Sequence, residues 1–385
     1  MTGKGRRPGR VSRRGATLPL RGDSPDPVLF LSVVCLVGFG IVMVASSSAV
    51  KSLETLGDQF YYLKRQTAWA VLGLIGAIVT SRLHYWKWRE LARPLLLGTV
   101  LLLILVLIPG IGKSARETQR WLGFGSLAFQ PSELTKLTMA IFAAYHLTRR
   151  PDIPRDFWRG LVPLLVWAGL VGILILLQPD LGTAVTVVGT VFLSLAAAGS
   201  RPSHLALLGV AAVPITYWAI FMEEYRRRRF LAFLDPWADP QGTGFHIIQA
   251  LYALGSGRIF GVGLGQSRQK LWYLPEQHTD FIFAIIGEEL GLVGALAVVA
   301  LFFIFIWRGY RAAMHAPDAF SALLAAGLTG MIALQAVVNV GVVTAVLPIT
   351  GIPLPFVSYG GSSLVFSLAA VGILLNVSRY ARPPS

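Results

Sequence analysis

Apolar residues come in long, nearly unbroken runs along this chain, and polar residues collect in the gaps between them. The runs lie near 27–48, 66–80, 91–109, 131–148, 160–178, 181–199, 203–222, 280–307, 318–340 and 360–378. Each comes close to the roughly 20 apolar residues a helix needs to cross the hydrocarbon of a bilayer. The pattern predicts an all-α polytopic membrane protein of about ten transmembrane helices. A basic tail, 1–26, precedes the transmembrane domain at 27–380, and 381–385 follow it. Within that domain the longest polar stretch, about 223–279, is expected to be one long extracytoplasmic loop.

Composition strengthens this reading: 54% of the 385 residues are hydrophobic, 14% are charged, and the mean hydropathy is +0.63. A soluble domain of this length could not hide so much apolar surface from water. The first apolar run exceeds the 7–15 residues usual in a signal peptide, so an uncleaved first helix is expected. The single cysteine, Cys35, falls inside that run, which excludes an intrachain disulfide.

A net charge of +15 invites a nucleic-acid partner until the charges are placed. Twenty of the 34 lysines and arginines sit in the tail and in the short segments 82–93, 149–159, 201, 308–311 and 379–382. Those segments share one side of the membrane if the N-terminus is inside, the positive-inside arrangement. Tyr85, Trp86, Trp88, Trp158, Trp307, Tyr310 and Tyr380 flank the same ends as an aromatic belt would. Both termini are therefore expected in the cytoplasm, and a nucleic-acid partner is not.

The outer segments carry the candidate chemistry. Segment 110–130 holds Lys113, Arg116, Arg120 and Trp121, and the turn QPDLGT at 178–183 joins two spans almost without a loop. Segment 341–363 is so rich in Pro and Gly that its helices must be interrupted. Non-helical backbone at that depth is tolerated only where protein or a wet cavity covers it. No internal repeat stands out, which weighs against an inverted-repeat transporter. There is no GxxxxGK[ST], no GxSxG and no HExxH, and the glycines of 261–265 lack dinucleotide-fold spacing and context. Energy must come from the substrate itself or from a gradient.

Ionisable residues at membrane depth are costly and commonly functional. Glu133 and Lys136 lie three apart and share a helix face, either as a neutralising pair or as ligands. Asp180 suits a helix N-cap as well as a site. Arg226, Arg227, Arg228 and Arg229 are a solvated turn or, at the outer boundary, a cradle for a pyrophosphate headgroup. Arg268 and Lys270 come back to that boundary at the loop's other end. Asp280 stands where the loop enters the eighth span, with Thr279 expected to cap that helix. A carboxylate kept ionised by neighbouring cations can serve as a general base. His278 is the alternative base, and Glu288 and Glu289, two turns deeper, are expected to hold neighbouring helices.

Five stretches, RWLGFGSLAFQPSELTK (120–136), QPDLGT (178–183), RRRRFLAFLDPWADPQGTGFHIIQAL (226–251), GVGLGQSRQKLWYLPEQHTDFIFAIIGEELG (261–291) and NVGVVTAVLPITGIPLPFVSYGGSS (339–363), occur in this order. Together they resemble the SEDS family, the shape, elongation, division and sporulation glycosyltransferases, across essentially the whole membrane region. The likeness is closer to the division and sporulation members than to the elongation members. Gln119 replaces an arginine common in the family before Arg120 and Trp121, which puts an arginine role at 119 in doubt. Ala345 stands where Gly, Thr or Arg is usual, a change expected to affect only helix packing.

The resemblance implies polymerisation of lipid II into glycan strands at the outer face of a bacterial cytoplasmic membrane, at the division septum. It also implies a class B penicillin-binding protein and other divisome membrane proteins as partners. The family's catalytic aspartate falls on Asp280. The substrate site is expected to draw on Arg120, Trp121, Glu133, Lys136, Asp180, Arg226, Arg229, Lys270, His278, Ser358 and Ser362. A pyrophosphate is already a good leaving group, so an inverting transfer needs one base and some cations rather than a pair of carboxylates. A divalent cation bridging pyrophosphate to Asp280 or Asp180 is left open. The rival functions are a lipid II flippase or transporter, an elongation polymerase, and a scaffold for division partners.

Overall fold

The computed structural model describes residues 24–115, 118–124, 127–271 and 274–381. The tail to residue 23, Arg116 and 382–385 lie outside the described residues, as does the side chain of Lys113. The chain runs α1 (Pro27–Leu56), α2 (Tyr61–Arg82), α3 (Tyr85–Leu107), then strands β1 (Lys113–Ala115), β2 (Thr118–Phe124) and β3 (Leu127–Phe129). It continues through α4 (Pro131–Leu147), α5 (Val162–Leu176), α6 (Leu181–Ala197), α7 (Pro202–Phe221), α8 (Glu224–Leu234) and α9 (Phe245–Gly257). The last helices are α10 (Ile282–Met314), α11 (Ala319–Val343) and α12 (Gly361–Arg379). The small antiparallel meander, in the order β1-β2-β3, is the one departure from an all-α fold among the described residues.

Among the described residues, seven helices are long and apolar enough to cross a membrane: α1, α3, Phe157–Leu176, α7, α10, α11 and α12. The helix α6 is a shorter apolar one. Of the other long helices, α2 carries Lys64 and Arg65 and α4 carries Glu133 and Lys136, which lowers their apolarity. The helix α4 is nonetheless buried almost end to end and, with α11 and α12, forms the centre of the bundle. At the other extreme, α7 buries only Ala219.

Lipid tails are as apolar as leucine, so helix association here relies on close fit and on hydrogen bonds. The pairing of α2 with α12 shows both. A Cβ added at Gly372 would meet the Ala77 carbonyl at 2.2 Å, and Thr80 Oγ1 donates to the Ala369 carbonyl at 3.0 Å. At the basic end of the bundle Asp26 caps α1 through the amides of Val28 and Leu29. Its other carboxylate oxygen accepts from Arg308 Nε at 2.7 Å and its amide donates to Ser378 Oγ, stapling α1, α10 and α12 together.

Two breaks in regular structure shape the opposite end. The helix α10 is not one continuous span: at Gly291 the backbone turns to φ 67°. The carbonyls of Glu288 and Glu289 freed by the break accept from the amides of Val262 and Gly263, and the amides of Leu292 and Val293 donate to the carbonyls of Arg258 and Ile259. The loop's glycine run thus repairs the hydrogen bonding that the helix gives up, as an interrupted helix in a membrane requires. The second break is the non-helical segment 344–360, whose Ile352, Leu354, Phe356 and Val357 are buried. It turns through residues of positive φ, namely Ala345 at 56°, Gly351 at 74° and Phe356 at 66°. Ala345 therefore differs from glycine in backbone strain, about 1–2 kcal/mol for a left-handed residue with a Cβ, rather than in helix packing alone. Phe356 is held in this costly conformation by its ring, which packs at 6.4 Å on Phe302 and 5.7 Å on Phe305.

Candidate active site

The turn that carries Asp280, residues 275–281, is fixed from behind by its backbone. Three consecutive carbonyls are captured. His278 O accepts from the Tyr359 amide at 2.8 Å, Thr279 O from Ser358 Oγ at 2.6 Å, and Asp280 O from Asn339 Nδ2 at 2.8 Å. Asn339 Nδ2 also donates to the Ile352 carbonyl at 2.8 Å, and Ser358 Oγ accepts from the Leu354 amide at 2.8 Å. Segment 344–360 and α11 therefore set the position of the aspartate. Gln277 Nε2 ties the same turn to α1 through the Ser47 carbonyl at 2.7 Å. Thr279 does not cap α10, because its hydroxyl donates to the Glu276 carbonyl and carboxylate instead.

The side chain of Asp280 is half-buried and faces Gly351, where an added Cβ would come to 3.6 Å from Oδ2. Arg229 on α8 lies within electrostatic reach of both Asp280 and Arg120. Its guanidinium rests over the Tyr225 ring, 4.2 Å from the centroid. Burial lowers its pKa, and Tyr225 and Asp280 oppose that effect; an arginine stays cationic regardless. Arg229 lines a cavity of about 650 Å³ with Tyr225, Arg228, Asp239, His246 and Ile349. Burial, and then the charge of Arg229, push the pKa of His246 below the ordinary histidine value, so its ring is neutral beside that charge. The ring stacks on Phe281, next to Asp280, at 5.9 Å.

Arg120, on β2, donates from Nη2 to the Pro179 carbonyl at 2.6 Å, joining the meander to the turn between α5 and α6. Trp121 follows it on the same strand, half-buried. Asp180 caps α6: it accepts from the Thr183 amide at 3.0 Å and hydroxyl at 2.9 Å, and from Gln130 Nε2 at 3.1 Å. The Gln130 amide donates to Ser362 Oγ at the start of α12. Asp180, Gln130 and Ser362 thus form one polar chain across three helix starts. Deeper in the bundle, Lys136 pairs with Glu133 at 2.7 Å and donates to Gln335 Oε1 at 2.6 Å. Both members of that pair are buried.

Three candidate substrate ligands are engaged with partners of their own. Arg226 is spent on helix ends, donating to the carbonyls of Ala219 at 3.0 Å and Leu176 at 3.4 Å. Lys270 is buried against Glu289 at 3.0 Å and also donates to Gly265 O and Ser46 Oγ. His278, 4% exposed, packs against the rings of Tyr62 at 4.5 Å and Tyr359 at 5.7 Å, a poor station for a base. Glu288 and Glu289 lock the loop to α10: Glu288 accepts from the Ser267 hydroxyl and the Arg268 amide, and Glu289 from Ser46 Oγ as well as Lys270. No group of three or more His, Cys, Asp or Glu gathers as a metal cage among the described residues. A cation at Asp280 or Asp180 would have to take most of its ligands from the substrate's own oxygens.

Tyr225, His246, Gln130 and Asn339 were not singled out from the sequence. His246 lies inside the stretch GTGFHIIQAL, where only a helix running through the loop could have flagged it. Asn339 acts through carbonyls of residues 59 and 13 positions away, a contact no local pattern announces.

An apolar helical bundle with spans of membrane-crossing length, whose one end gathers a carboxylate and two guanidiniums under a helical loop, defines a polytopic membrane protein. Residues 27–383 match the family model that joins FtsW, RodA and SpoVE, described as cell cycle protein, and the chain belongs to that family. It is 47% identical over 353 residues to the probable peptidoglycan glycosyltransferase FtsW of Geobacter metallireducens, covering 92% of this chain and 94% of that one. It is 45% identical over 359 residues to stage V sporulation protein E of Bacillus subtilis, covering 93% and 98%. Among solved structures, a chain from a peptidoglycan synthase complex that coordinates polymerization and crosslinking superposes with a TM-score of 0.76 at 32% identity, covering 92% and 98%.

Proposed function

We propose that this protein is a peptidoglycan glycosyltransferase that polymerises lipid II, with Asp280 as the base. The observation that carries the reading is the meeting of Asp280, Arg229 and Arg120 at one outer site, with the aspartate's backbone held by three hydrogen bonds from the bundle. In the reaction Asp280 takes the proton of the acceptor sugar hydroxyl. The oxygen attacks the donor's anomeric carbon, the bond from that carbon to the pyrophosphate oxygen breaks, and undecaprenyl pyrophosphate leaves. Arg229 and Arg120 hold the pyrophosphate's negative charge alike in the bound donor and in the departing group. One carboxylate suffices because this leaving group needs no proton.

The relatives named for peptidoglycan glycosyl transfer support the activity, and the cell cycle family with its relative named for sporulation supports a septal setting in the bacterial cytoplasmic membrane. The likeness to a synthase complex that couples polymerization to crosslinking supports a class B penicillin-binding protein as partner, with other divisome membrane proteins around it. The test is incubation of the purified protein and its partner with lipid II, with products separated by size. Asp280→Asn should lower polymer yield by about 10²–10⁴-fold, the usual contribution of a positioned base. Polymer at the wild-type rate from that variant sinks the assignment. Movement of labelled lipid II across liposomes without any polymer would instead make the chain a flippase.

A further inference from the structure

At the end of the bundle opposite Asp280, α3 and α5 flank a second cavity of about 820 Å³, with α4 as its back wall. It lies away from the polymerase site: α4 starts beside Asp180 and runs 11 residues, roughly 17 Å, before Phe142 first lines the cavity. Arg93, Arg149, Arg150 and Arg159 line this cavity against a single carboxylate, Asp152. Two of these guanidiniums converge on one ring, Arg93 at 5.3 Å and Arg149 at 5.9 Å from the Tyr145 centroid. Among the described residues none of the four makes an ion pair. A general excess of positive charge explains why arginines lie at this end. It does not explain why four of them surround a concavity with one acid between them.

The back wall is rigid. Residues Phe157–Leu161 form a π turn, and His146 Nε2 lies 3.1 Å from each of the carbonyls of Arg159 and Gly160 in that turn. Such turns recur at functional sites. The outer wall is open and apolar: Leu97 is 56% and Trp158 74% exposed. Exposed Leu101 and Ile104 continue the face of Leu97 along α3, and Leu170 and Ile173 run beside Trp167 along α5. A cationic pocket that opens onto two lipid-facing apolar stripes matches a headgroup joined to acyl chains, and a peptide or a soluble anion would leave those stripes unused.

We propose that this cavity binds an anionic phospholipid from the leaflet facing the basic loops, its phosphate among Arg93, Arg149, Arg150 and Arg159 and its chains along α3 and α5. Basic pockets between membrane helices are suited to such headgroups. The site is separate from glycan polymerisation and stands whether or not that reading holds.

The test is native mass spectrometry of the delipidated full chain titrated with phosphatidylglycerol, phosphatidylcholine or inorganic phosphate. Wild type should retain phosphatidylglycerol about tenfold or more over phosphatidylcholine. The double variant Arg93→Gln/Arg149→Gln should lose that preference, while Arg201→Gln/Arg311→Gln, which removes as much charge elsewhere at this end, should keep it. Leu97→Trp, which fills the mouth and leaves every charge, should also lose it, so the idea stays testable if the arginine variant misfolds. Equal loss in both arginine variants would mean diffuse attraction and overturn the proposal. So would equal retention of phosphatidylcholine, or displacement of the lipid by inorganic phosphate or by a soluble polyglutamate peptide at matched charge, the last assigning the cavity to a protein partner.

Discussion

Arg226 to Arg229 are four identical side chains in a row, yet they divide into three tasks because a helix turns about 100° per residue. Arg226 closes helix ends, Arg227 and Arg228 pair with Glu224 at 2.9 Å each, and Arg229 is in electrostatic reach of Asp280. Their charge and their place at the membrane edge were readable from sequence. Their azimuth was not, because a polar run has no apolar period to reveal a helix. Steady-state polymerisation separates the tasks. Arg229→Gln should raise KM for lipid II about tenfold or more, the loss of one charged hydrogen bond, with kcat changed far less. Arg226→Gln should leave KM within about twofold and lower the unfolding temperature instead. A KM rise in both would return the whole arginine run to the binding site.

At the scale of elements, most helices lie where the apolar runs put them. The helix α4 covers Pro131–Leu147 against an expected 131–148, and α6 covers Leu181–Ala197 against 181–199. Two things were hidden. The loop 223–279 contains α8 and α9, and α10 breaks at Gly291, because hydropathy measures length and greasiness and is blind to a glycine whose backbone turns over. Packing of α8 and α9 makes a pH prediction. His246 has its pKa lowered in the folded protein by burial and by Arg229, so the unfolded chain binds the proton first as pH falls. Stability of this region is complete above the ordinary histidine value of about 6.5 and declines as pH drops below it. Wild type should therefore melt at a lower temperature at pH 5.5 than at pH 7.5, and His246→Gln should reduce that difference. An unchanged difference in the variant would assign the acid sensitivity to another group.

For the whole molecule, the positive-inside bias predicts an orientation with Asp280 outside and the four-arginine cavity inside. Cys35 is the only cysteine, so the orientation can be mapped in a Cys35→Ser background. An impermeant maleimide added to intact cells should label Gln241→Cys at once and Arg155→Cys only after permeabilisation, both positions being exposed. The reverse order would invert the topology and remove the outer site from its substrate. The class of molecule was thus legible from patterns and motifs, while the convergence around Asp280 depends on contacts between residues far apart in sequence. The three captured carbonyls at His278, Thr279 and Asp280 have one more consequence. They bind the proposed base to the inner bundle, whereas Arg229 rides on a loop helix tied to the bundle through Arg226. On the proposed mechanism, proton transfer and donor affinity are carried by separate pieces of the chain. A lineage can retune its appetite for lipid donor by editing α8 while its catalytic pH profile stays where the bundle set it.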